Sequence, residues 1–323
     1  MEAITNFLAQ NDMFTTVVGS LVALTVCIAV GYVGRKAGML TDSINTGMSA
    51  ILVTIAVPST IFISMMRPFS RTLFLESLAT LVLSAVVFLA GYVVGGLLAR
   101  ILGAPKDEQR VWQFSLIFAN VGFMGFPVIQ AIYGYEGMIY VSMANVTFNV
   151  LAFTLGIYLF KKESEKEKRV DILAGLKAIF LNPALVITFI GYAFFITGFR
   201  LPETVHNGVE LVSGMTVPLS MMLVGSILAK SKPLTLINDP RVLPVIFMRL
   251  LGIPAASFFL IRPFIPNPMM LEIIVILAAM PVGALTVIFA EKYKGNTAVA
   301  SKLIAISSFL SLLTIPLISL LMD

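Results

Sequence analysis

The chain has 323 residues, of which 58% are hydrophobic and 12% are charged, and its mean hydropathy is +0.97. Soluble globular proteins carry about a quarter charged residues, so this composition excludes a soluble protein and predicts one embedded in lipid. A single cysteine, Cys27, excludes a disulfide framework, and a single histidine, His206, excludes a histidine-rich metal site. The net charge of +5 is spread over many short connections, so we expect no nucleic-acid partner.

Ten apolar stretches follow one another along the chain. Each is close to the ~20 residues that an α-helix needs to cross a bilayer, and charged or Pro/Gly-rich connections separate them. They lie at 14–34, 44–66, 74–102, 112–133, 138–160, 178–199, 206–229, 240–262, 270–291 and 297–321. The sequence therefore predicts an all-α integral membrane protein with ten transmembrane spans.

Basic residues divide unequally between the two sets of connections. Of the 22 Lys and Arg residues, 17 lie in or beside the connections after spans 1, 3, 5, 7 and 9, and four lie on the opposite side. Cytoplasmic connections carry the excess of basic residues, so both termini are predicted to lie outside the cell membrane. Trp112, at the inner end of the fourth span, is predicted to anchor that end in the membrane interface.

The sequence also contains a weak internal repeat. Asn120 to Gly122 in the fourth span matches Pro281 to Gly283 in the ninth at an offset of 161, and Val57-Pro58 matches Val217-Pro218 at an offset of 160. A repeat of five spans has an odd number of crossings, so its second copy is inverted. We predict a first five-helix repeat at 1–160, a cytoplasmic connector with an interfacial helix at 161–177, and a second, inverted repeat at 178–323.

The fourth and ninth spans carry helix-breaking residues at their centres. Asn120, Gly122 and Pro127 interrupt the fourth span, and Pro281 and Gly283 interrupt the ninth. Backbone groups freed at membrane depth are tolerated only where protein or a wet cavity satisfies them. Inverted repeats with broken helices are typical of alternating-access carriers, whose site lies near the midplane. We therefore predict that the two broken spans cross and that the crossing forms the site.

Several stretches from the second span to the ninth belong together: Ala56–Pro58, Asn120–Pro127, Tyr133–Gly134, Asn182–Pro183, Met248–Arg249 with Gly252, and Ala278–Pro281 with Phe289–Ala290 and Tyr293. As a set they resemble the auxin efflux carrier family, within the group that shares the fold of bile-acid sodium symporters and NhaA-like antiporters. The resemblance covers essentially the whole chain. It implies a scaffold domain of spans 1, 2, 6 and 7, a transport domain of spans 3–5 and 8–10, and a homodimer formed through the scaffold.

The same resemblance implies a substrate site beside the crossing and substrates that are auxin in plants and small organic acids in microbes. Asn120 corresponds to the family's substrate-contacting asparagine and Pro281 to its crossover proline. Ala184 and Ala119 depart from the plant pattern, and the long plant loop is absent, which favours a microbial member over an auxin carrier. The predicted binding residues are Ala119, Asn120, Val121, Gly122, Met280, Pro281, Val282, Val57, Pro58, Asn182, Ala184 and Phe153.

Polar residues inside the spans give further candidates. Arg249 sits ~13 Å deep in the eighth span at 1.5 Å per residue, where a charge is a functional candidate. Two roles stay open for it: attracting an anion, or binding carbonyl groups freed by a broken helix. Asn145 and Asn149 lie four residues apart on one helix face and, with Gln113, form either an ion site or interhelical hydrogen bonds.

The predicted function is secondary transport of small organic anions, such as carboxylates, by an elevator-type movement. No Asp or Glu falls at the crossing, which disfavours proton coupling through carboxylates. The spans also lack a constellation for catalysis, so we expect no enzyme activity, no metal and no cofactor. Coupling to sodium through neutral oxygen ligands stays open. A channel and a sensor stay open as alternative functions. Besides the substrate and a second copy of the chain, the expected partner is membrane lipid.

Overall fold

A computed structural model describes residues 12–160, 177, 181–230 and 241–323. Within these ranges the chain is almost wholly helical and contains no β-strand beyond one isolated bridge. The predicted connector and interfacial helix at 161–177 lie outside the described residues apart from Lys177. We number the helices as follows: α1 Asp12–Lys36, α2 Asp42–Met65, α3 Arg71–Ile101, α4 Lys106–Ile117, α5 Val121–Tyr133, α6 Met138–Phe160, α7 Pro183–Thr197, α8 Glu203–Lys230, α9 Val242–Phe264, α10 Pro268–Ala278, α11 Leu285–Lys292 and α12 Thr297–Ser319.

Seven of these helices have the length and hydropathy to cross a membrane, namely α1, α2, α3, α6, α8, α9 and α12. Three shorter helices, α5, α7 and α10, are also apolar. The fourth predicted span is divided into α4 and α5, and the ninth into α10 and α11. This set of helices is that of a multi-pass membrane protein.

Side-chain caps and glycines set many of the helix ends. Thr41 and Ser70 accept hydrogen bonds from the backbone N–H groups three residues ahead and so begin α2 and α3. Asn182 begins α7 in the same way, since its side-chain oxygen accepts hydrogen bonds from the N–H groups two and three residues ahead. Gly198 ends α7 with a φ of 68°, in the left-handed region that side chains rarely adopt.

The closest helix packing joins α1 and α8 through two glycines. A Cβ at Gly31 would overlap the backbone of Met222, and a Cβ at Gly225 would overlap the backbone of Ile28. Small residues at such crossings let two backbones approach and gain dispersion contacts, which drive helix association in lipid. Around this pair, α2 packs against α7 and α8, while α3 packs against α4 and α6.

Three helices contain a widened, π-type turn directly before a proline. The turns are Leu52–Ala56, Val121–Gly125 and Met248–Gly252, and each is closed by an N–H that bonds to the carbonyl five residues back. Pro58, Pro127 and Pro254 follow two residues after these turns. A proline ring displaces the carbonyl four residues back, and the wider turn gives that carbonyl room.

Trp112 corrects one prediction made from the sequence. Its side chain is 0% exposed, whereas an interface anchor would lie at the protein surface. The half-helix α4 is surrounded by protein, because it packs against α3, α11 and α12. The position of Trp112 along the span indicated the membrane interface, but the helix is too enclosed for the side chain to reach it.

Candidate binding site at the helix crossing

Two extended segments cross where the broken spans are interrupted. Residues 118–120 link α4 to α5, residues 279–284 link α10 to α11, and Ala119 pairs with Val282 in an antiparallel bridge. The N–H of Asn120 donates to the carbonyl oxygen of Pro281 at 2.8 Å, and the N–H of Gly283 donates to that of Phe118 at 3.1 Å. The crossing thus satisfies backbone groups that neither helix satisfies alone.

Gly283 permits this close approach. A Cβ at this position would lie 3.0 Å from the carbonyl oxygen of Ala119 and 3.2 Å from that of Phe118. These distances are tighter than most Cβ contacts in proteins, and the neighbouring atoms are backbone atoms already fixed by the bridge. The sequence therefore needs glycine here for the segments to pair.

Asn120 is the polar side chain at the crossing. Its side-chain oxygen accepts a hydrogen bond from the N–H of Phe123 at 3.3 Å and so caps α5. Its amide N–H groups have no acceptor among the described residues, and the side chain is half-buried. Beside it Gly122 is exposed, with nothing within 4 Å of an added Cβ. In the described structure the donors without a partner at the N-terminus of α5 are therefore the amide of Asn120 and the N–H of Gly122, because the other backbone N–H groups of this turn are already bonded.

Two serines that sequence reasoning missed support the crossing from neighbouring helices. Ser307 of α12 is 0% exposed, and its Oγ accepts the N–H of Val282 at 3.0 Å. Ser220 of α8 donates to the carbonyl oxygen of Phe123, which is the carbonyl that Pro127 displaces four residues back. Serines in helices usually bond to their own preceding turn, so sequence alone carries no signal for these partners.

Arg249 lies in the widened turn of α9 and is 1% exposed. Its Nε donates to the carbonyl oxygen of Met280 at 3.1 Å, one terminal nitrogen donates to that of Leu116 at 2.8 Å, and the other donates to that of Ala278 at 2.7 Å. Leu116 is in the last turn of α4 and Ala278 is the last residue of α10. The guanidinium thus joins the C-terminal ends of both half-helices.

A second polar group lies between α6 and α7. The amide nitrogen of Asn149 donates to the side-chain oxygen of Asn145 at 3.1 Å and to its carbonyl oxygen at 2.8 Å. The amide nitrogen of Asn182 donates to the side-chain oxygen of Asn149 at 2.9 Å. These three asparagines form one hydrogen-bonded chain that connects α6 with the N-terminus of α7.

Gln113 does not join this asparagine chain. Its amide nitrogen donates to the carbonyl oxygen of Tyr92 at 3.0 Å, and its side chain lies against Gly95 and Gly96 of α3. No hydrogen bond connects Gln113 to Asn145 or Asn149 in the described structure. The three residues named together from sequence therefore occupy two separate places.

The remaining predicted binding residues have different surroundings. Met280 and Val282 are 0% exposed within the crossing. Val57 and Pro58 are buried in α2, and Ala184 is buried in the first turn of α7. Half-buried Phe153 of α6 packs against Phe289 of α11, with ring centroids 6.3 Å apart. The polar side chains among the set are those of Asn120 and Asn182, and both are half-buried. The crossing itself brings together Ala119, Asn120, Val121, Gly122, Met280, Pro281 and Val282.

A cavity of about 490 Å³ lies away from the crossing. Its lining includes Arg67, Glu136, His206 and Glu210, at the connection between α2 and α3 and the start of α8. Burial lowers the pKa of Arg67, whose terminal nitrogen also donates to the carbonyl oxygen of Tyr135 at 2.8 Å. Charges of both signs line this cavity, so it does not select anions electrostatically.

Comparison with known proteins decides the family. The sequence profile of the family described as "Membrane transport protein" matches residues 16–319. The chain belongs to this family. The match extends from α1 to α12, so it includes both broken spans and their crossing.

Proteins similar to this chain come from archaea, bacteria and plants. An uncharacterized transporter of Methanocaldococcus jannaschii is 27% identical over 303 residues, which are 90% of this chain and 94% of that protein. The uncharacterized transporter YfdV of Escherichia coli is 22% identical over 94% of this chain and 97% of its own length. Auxin efflux carrier component 3a of rice is 29% identical over 182 residues, or 54% of this chain and 29% of that protein. The protein is therefore a membrane transporter of the auxin efflux carrier family.

Proposed function

We propose that this transporter is a secondary carrier that moves small organic anions, in particular carboxylates, and that it binds them at the helix crossing. The observation that carries the proposal is the free amide of Asn120 beside exposed Gly122, at the N-terminus of α5. The similarity to a rice protein named as an auxin efflux carrier agrees with it, because auxin is itself a carboxylate.

The electrostatics of the crossing favour an anion. The N-terminus of a helix carries a partial positive charge, about half a unit, from its aligned peptide dipoles, and α5 presents this end beside Asn120. Amide N–H groups are donors suited to carboxylate oxygens. No Asp or Glu lies in the segments 118–122 and 279–284, so nothing within them repels a negative ligand.

We further propose that α3–α6 and α9–α12 form a transport domain that moves past a scaffold of α1, α2, α7 and α8, as ten spans in two inverted repeats. The close glycine contact of α1 with α8 suits a rigid scaffold. The bonds of Arg249 to α4 and α10 suit a transport domain that moves as one body. The proposal includes a homodimer through the scaffold and both termini outside the cell membrane.

The test is uptake and substrate counterflow in proteoliposomes with a panel of labelled monocarboxylates and dicarboxylates. Asn120→Ala removes the cap and the free amide, and we expect it to weaken the apparent affinity roughly tenfold or more, because bonds to charged groups contribute about 1.5–3 kcal/mol. Asn120→Asp keeps an acceptor for the N–H of Phe123 but adds a negative charge, so it should also weaken binding. The matched control is Asn296→Ala, which removes the cap of α12 away from the crossing.

The outcomes separate the site from the mechanism. Wild-type affinity in Asn120→Ala would show that the substrate binds elsewhere. Equal loss in Asn120→Ala and Asn296→Ala would attribute the effect to helix capping alone. Conductance that follows the driving force without counterflow would make the protein a channel rather than a carrier.

A further inference from the structure

Three backbone carbonyl oxygens converge on one point behind the crossing. They belong to Leu116, Ala278 and Met280. Each accepts a hydrogen bond, with an N···O distance of 2.7–3.1 Å, from a different nitrogen of one positively charged group. In transporters with broken helices, unwound carbonyls and half-helix C-termini form the sites that hold coupling cations, and hard cations accept such neutral oxygen ligands. Here the positive group is part of the chain itself, because it is the guanidinium of Arg249.

The charges at this point balance without any further ion. A helix C-terminus carries about half a negative charge, so the ends of α4 and α10 together carry about one. The guanidinium is always protonated in proteins and supplies one positive charge. No group of three or more His, Cys, Asp or Glu side chains able to hold a metal exists among the described residues. A cation bound beside Arg249 would meet repulsion from the guanidinium, and the three carbonyl oxygens are already bonded to it.

We propose that Arg249 is a positioning residue that takes the place of a coupling cation at the crossing, so that the crossing assembles without sodium. The inference rests on the proposed function only in taking the crossing as the transport site. Arg249 does not contact the substrate, because its three bonded nitrogens face backbone carbonyls. Its role is to hold α4 and α10 so that Asn120 and the N-terminus of α5 keep their positions.

A small cavity beside the guanidinium makes this proposal testable. It is lined by Arg249 of α9, Ser84 of α3 and Ala144 of α6, among others, and its volume of about 20 Å³ holds about one water. The Ser84 hydroxyl is 3% exposed and its Oγ has no hydrogen-bond partner in the described structure. Truncating Arg249 would join its space to this cavity and leave carbonyl and hydroxyl oxygens facing room for a small cation.

The experiment measures thermal unfolding of the purified full-length protein in detergent. Sodium, lithium, potassium or guanidinium chloride is titrated against choline chloride at constant ionic strength. A ligand that binds only the folded state raises the melting temperature in a saturable way. We expect no cation-specific shift for the wild type. For Arg249→Ala we expect a lower melting temperature in choline that rises by several degrees with guanidinium or with one of the small alkali cations.

Arg262→Ala is the matched control on the same helix. Arg262 is exposed, and its guanidinium lies over the ring of Phe258, 5.2 Å from the ring centroid. It should unfold like the wild type in every salt. If Arg249→Ala does not fold, Arg249→Lys and Arg249→Met replace it. The lysine retains the charge and should be clearly more stable than the methionine, with no response to sodium.

Three results would overturn the proposal. One is a saturable stabilisation of the wild type by sodium. Another is an Arg249→Ala protein that melts at its choline temperature in every cation tested. The third is an Arg249→Lys protein no more stable than Arg249→Met. Because these assays contain no substrate, a failure here is distinguishable from failure of the carboxylate proposal, which uptake alone decides.

Discussion

The amide nitrogen of Asn182 donates to the side-chain oxygen of Asn149 at 2.9 Å, and so connects the first residue before α7 with the middle of α6. The side-chain oxygen of Asn182 accepts the N–H groups of Ala184 and Leu185 at 3.0 and 3.4 Å. One side chain therefore caps a helix and bonds to a neighbouring helix. In the proposed mechanism these two helices belong to different domains, so the bond between the asparagines would have to break whenever the domains move past each other.

Replacing Asn182 separates these two roles. Asn182→Ala loses the cap and the bond to Asn149, whereas Asn182→Ser keeps a capping oxygen but is too short to reach Asn149. We expect Asn182→Ala to be about 1 kcal/mol less stable than Asn182→Ser. Both should change the counterflow rate in the same direction, because both lose the bond between helices. Thermal unfolding and counterflow with the identified substrate measure the two effects, and wild-type rates in both variants would show that the bond does not influence the movement.

The glycine contact of α1 with α8 predicts a large packing effect. Gly31→Ala and Gly225→Ala would each press a methyl group into the backbone of the facing helix. Such overpacking costs about 1–3 kcal/mol or more, so both variants should unfold at lower temperature. Gly19→Ala on the same α1 is the control, because an added Cβ there meets nothing within 4 Å. It should be neutral or slightly stabilising, since alanine favours helices by about 1 kcal/mol over glycine.

Ser307→Ala tests the support of the crossing by α12. The substitution leaves the buried N–H of Val282 without an acceptor, which costs about 1–3 kcal/mol. Ser311→Ala is the matched control: Ser311 is equally buried and its hydroxyl donates to the carbonyl of Ser308 on its own helix. We expect only Ser307→Ala to weaken substrate affinity as well as stability. An equal effect of both variants on affinity would remove the special role of Ser307.

Much of the helical framework follows from hydropathy and local chemistry. The apolar stretches give the helices, and Asn120, Pro127 and Pro281 mark the fourth and ninth spans as interrupted. The cap at Asn182 is also readable, because asparagine before proline is a typical helix start. These features depend on residues close together in the sequence, where propensity and capping act.

The partners that complete the site could not be predicted in the same way. Arg249 binds carbonyls of residues 133, 31 and 29 positions away, and which carbonyls these are depends on how the broken spans cross. The sequence left its role open between anion attraction and carbonyl binding for this reason. Trp112 illustrates the same limit, because its burial depends on the helices that enclose α4.

A substitution of Gln113 tests whether this residue takes part in an ion site. Its side chain contacts α3 and donates to the carbonyl oxygen of Tyr92, apart from Asn145 and Asn149. We expect Gln113→Leu to lose about 1 kcal/mol of stability through that bond and to leave the cation dependence of uptake unchanged. Uptake in sodium, potassium and choline salts checks this. A sodium dependence that differs between the variant and the wild type would indicate that Gln113 does contribute to an ion site.

The widened turns before Pro58, Pro127 and Pro254 also change which way the side chains after each turn face. A turn closed over five residues instead of four contains one residue more than an α-helical turn, and one residue corresponds to about 100° of rotation. Side chains beyond Ala56, Gly125 and Gly252 therefore face directions that a continuous 3.6-residue count would assign to their neighbours. We therefore expect that deleting one residue within Leu52–Ala56 would leave an ordinary α-helical turn and keep the later side chains of α2 against their present neighbours, whereas deleting one residue beyond Ala56 would rotate the side chains that follow it by about 100°.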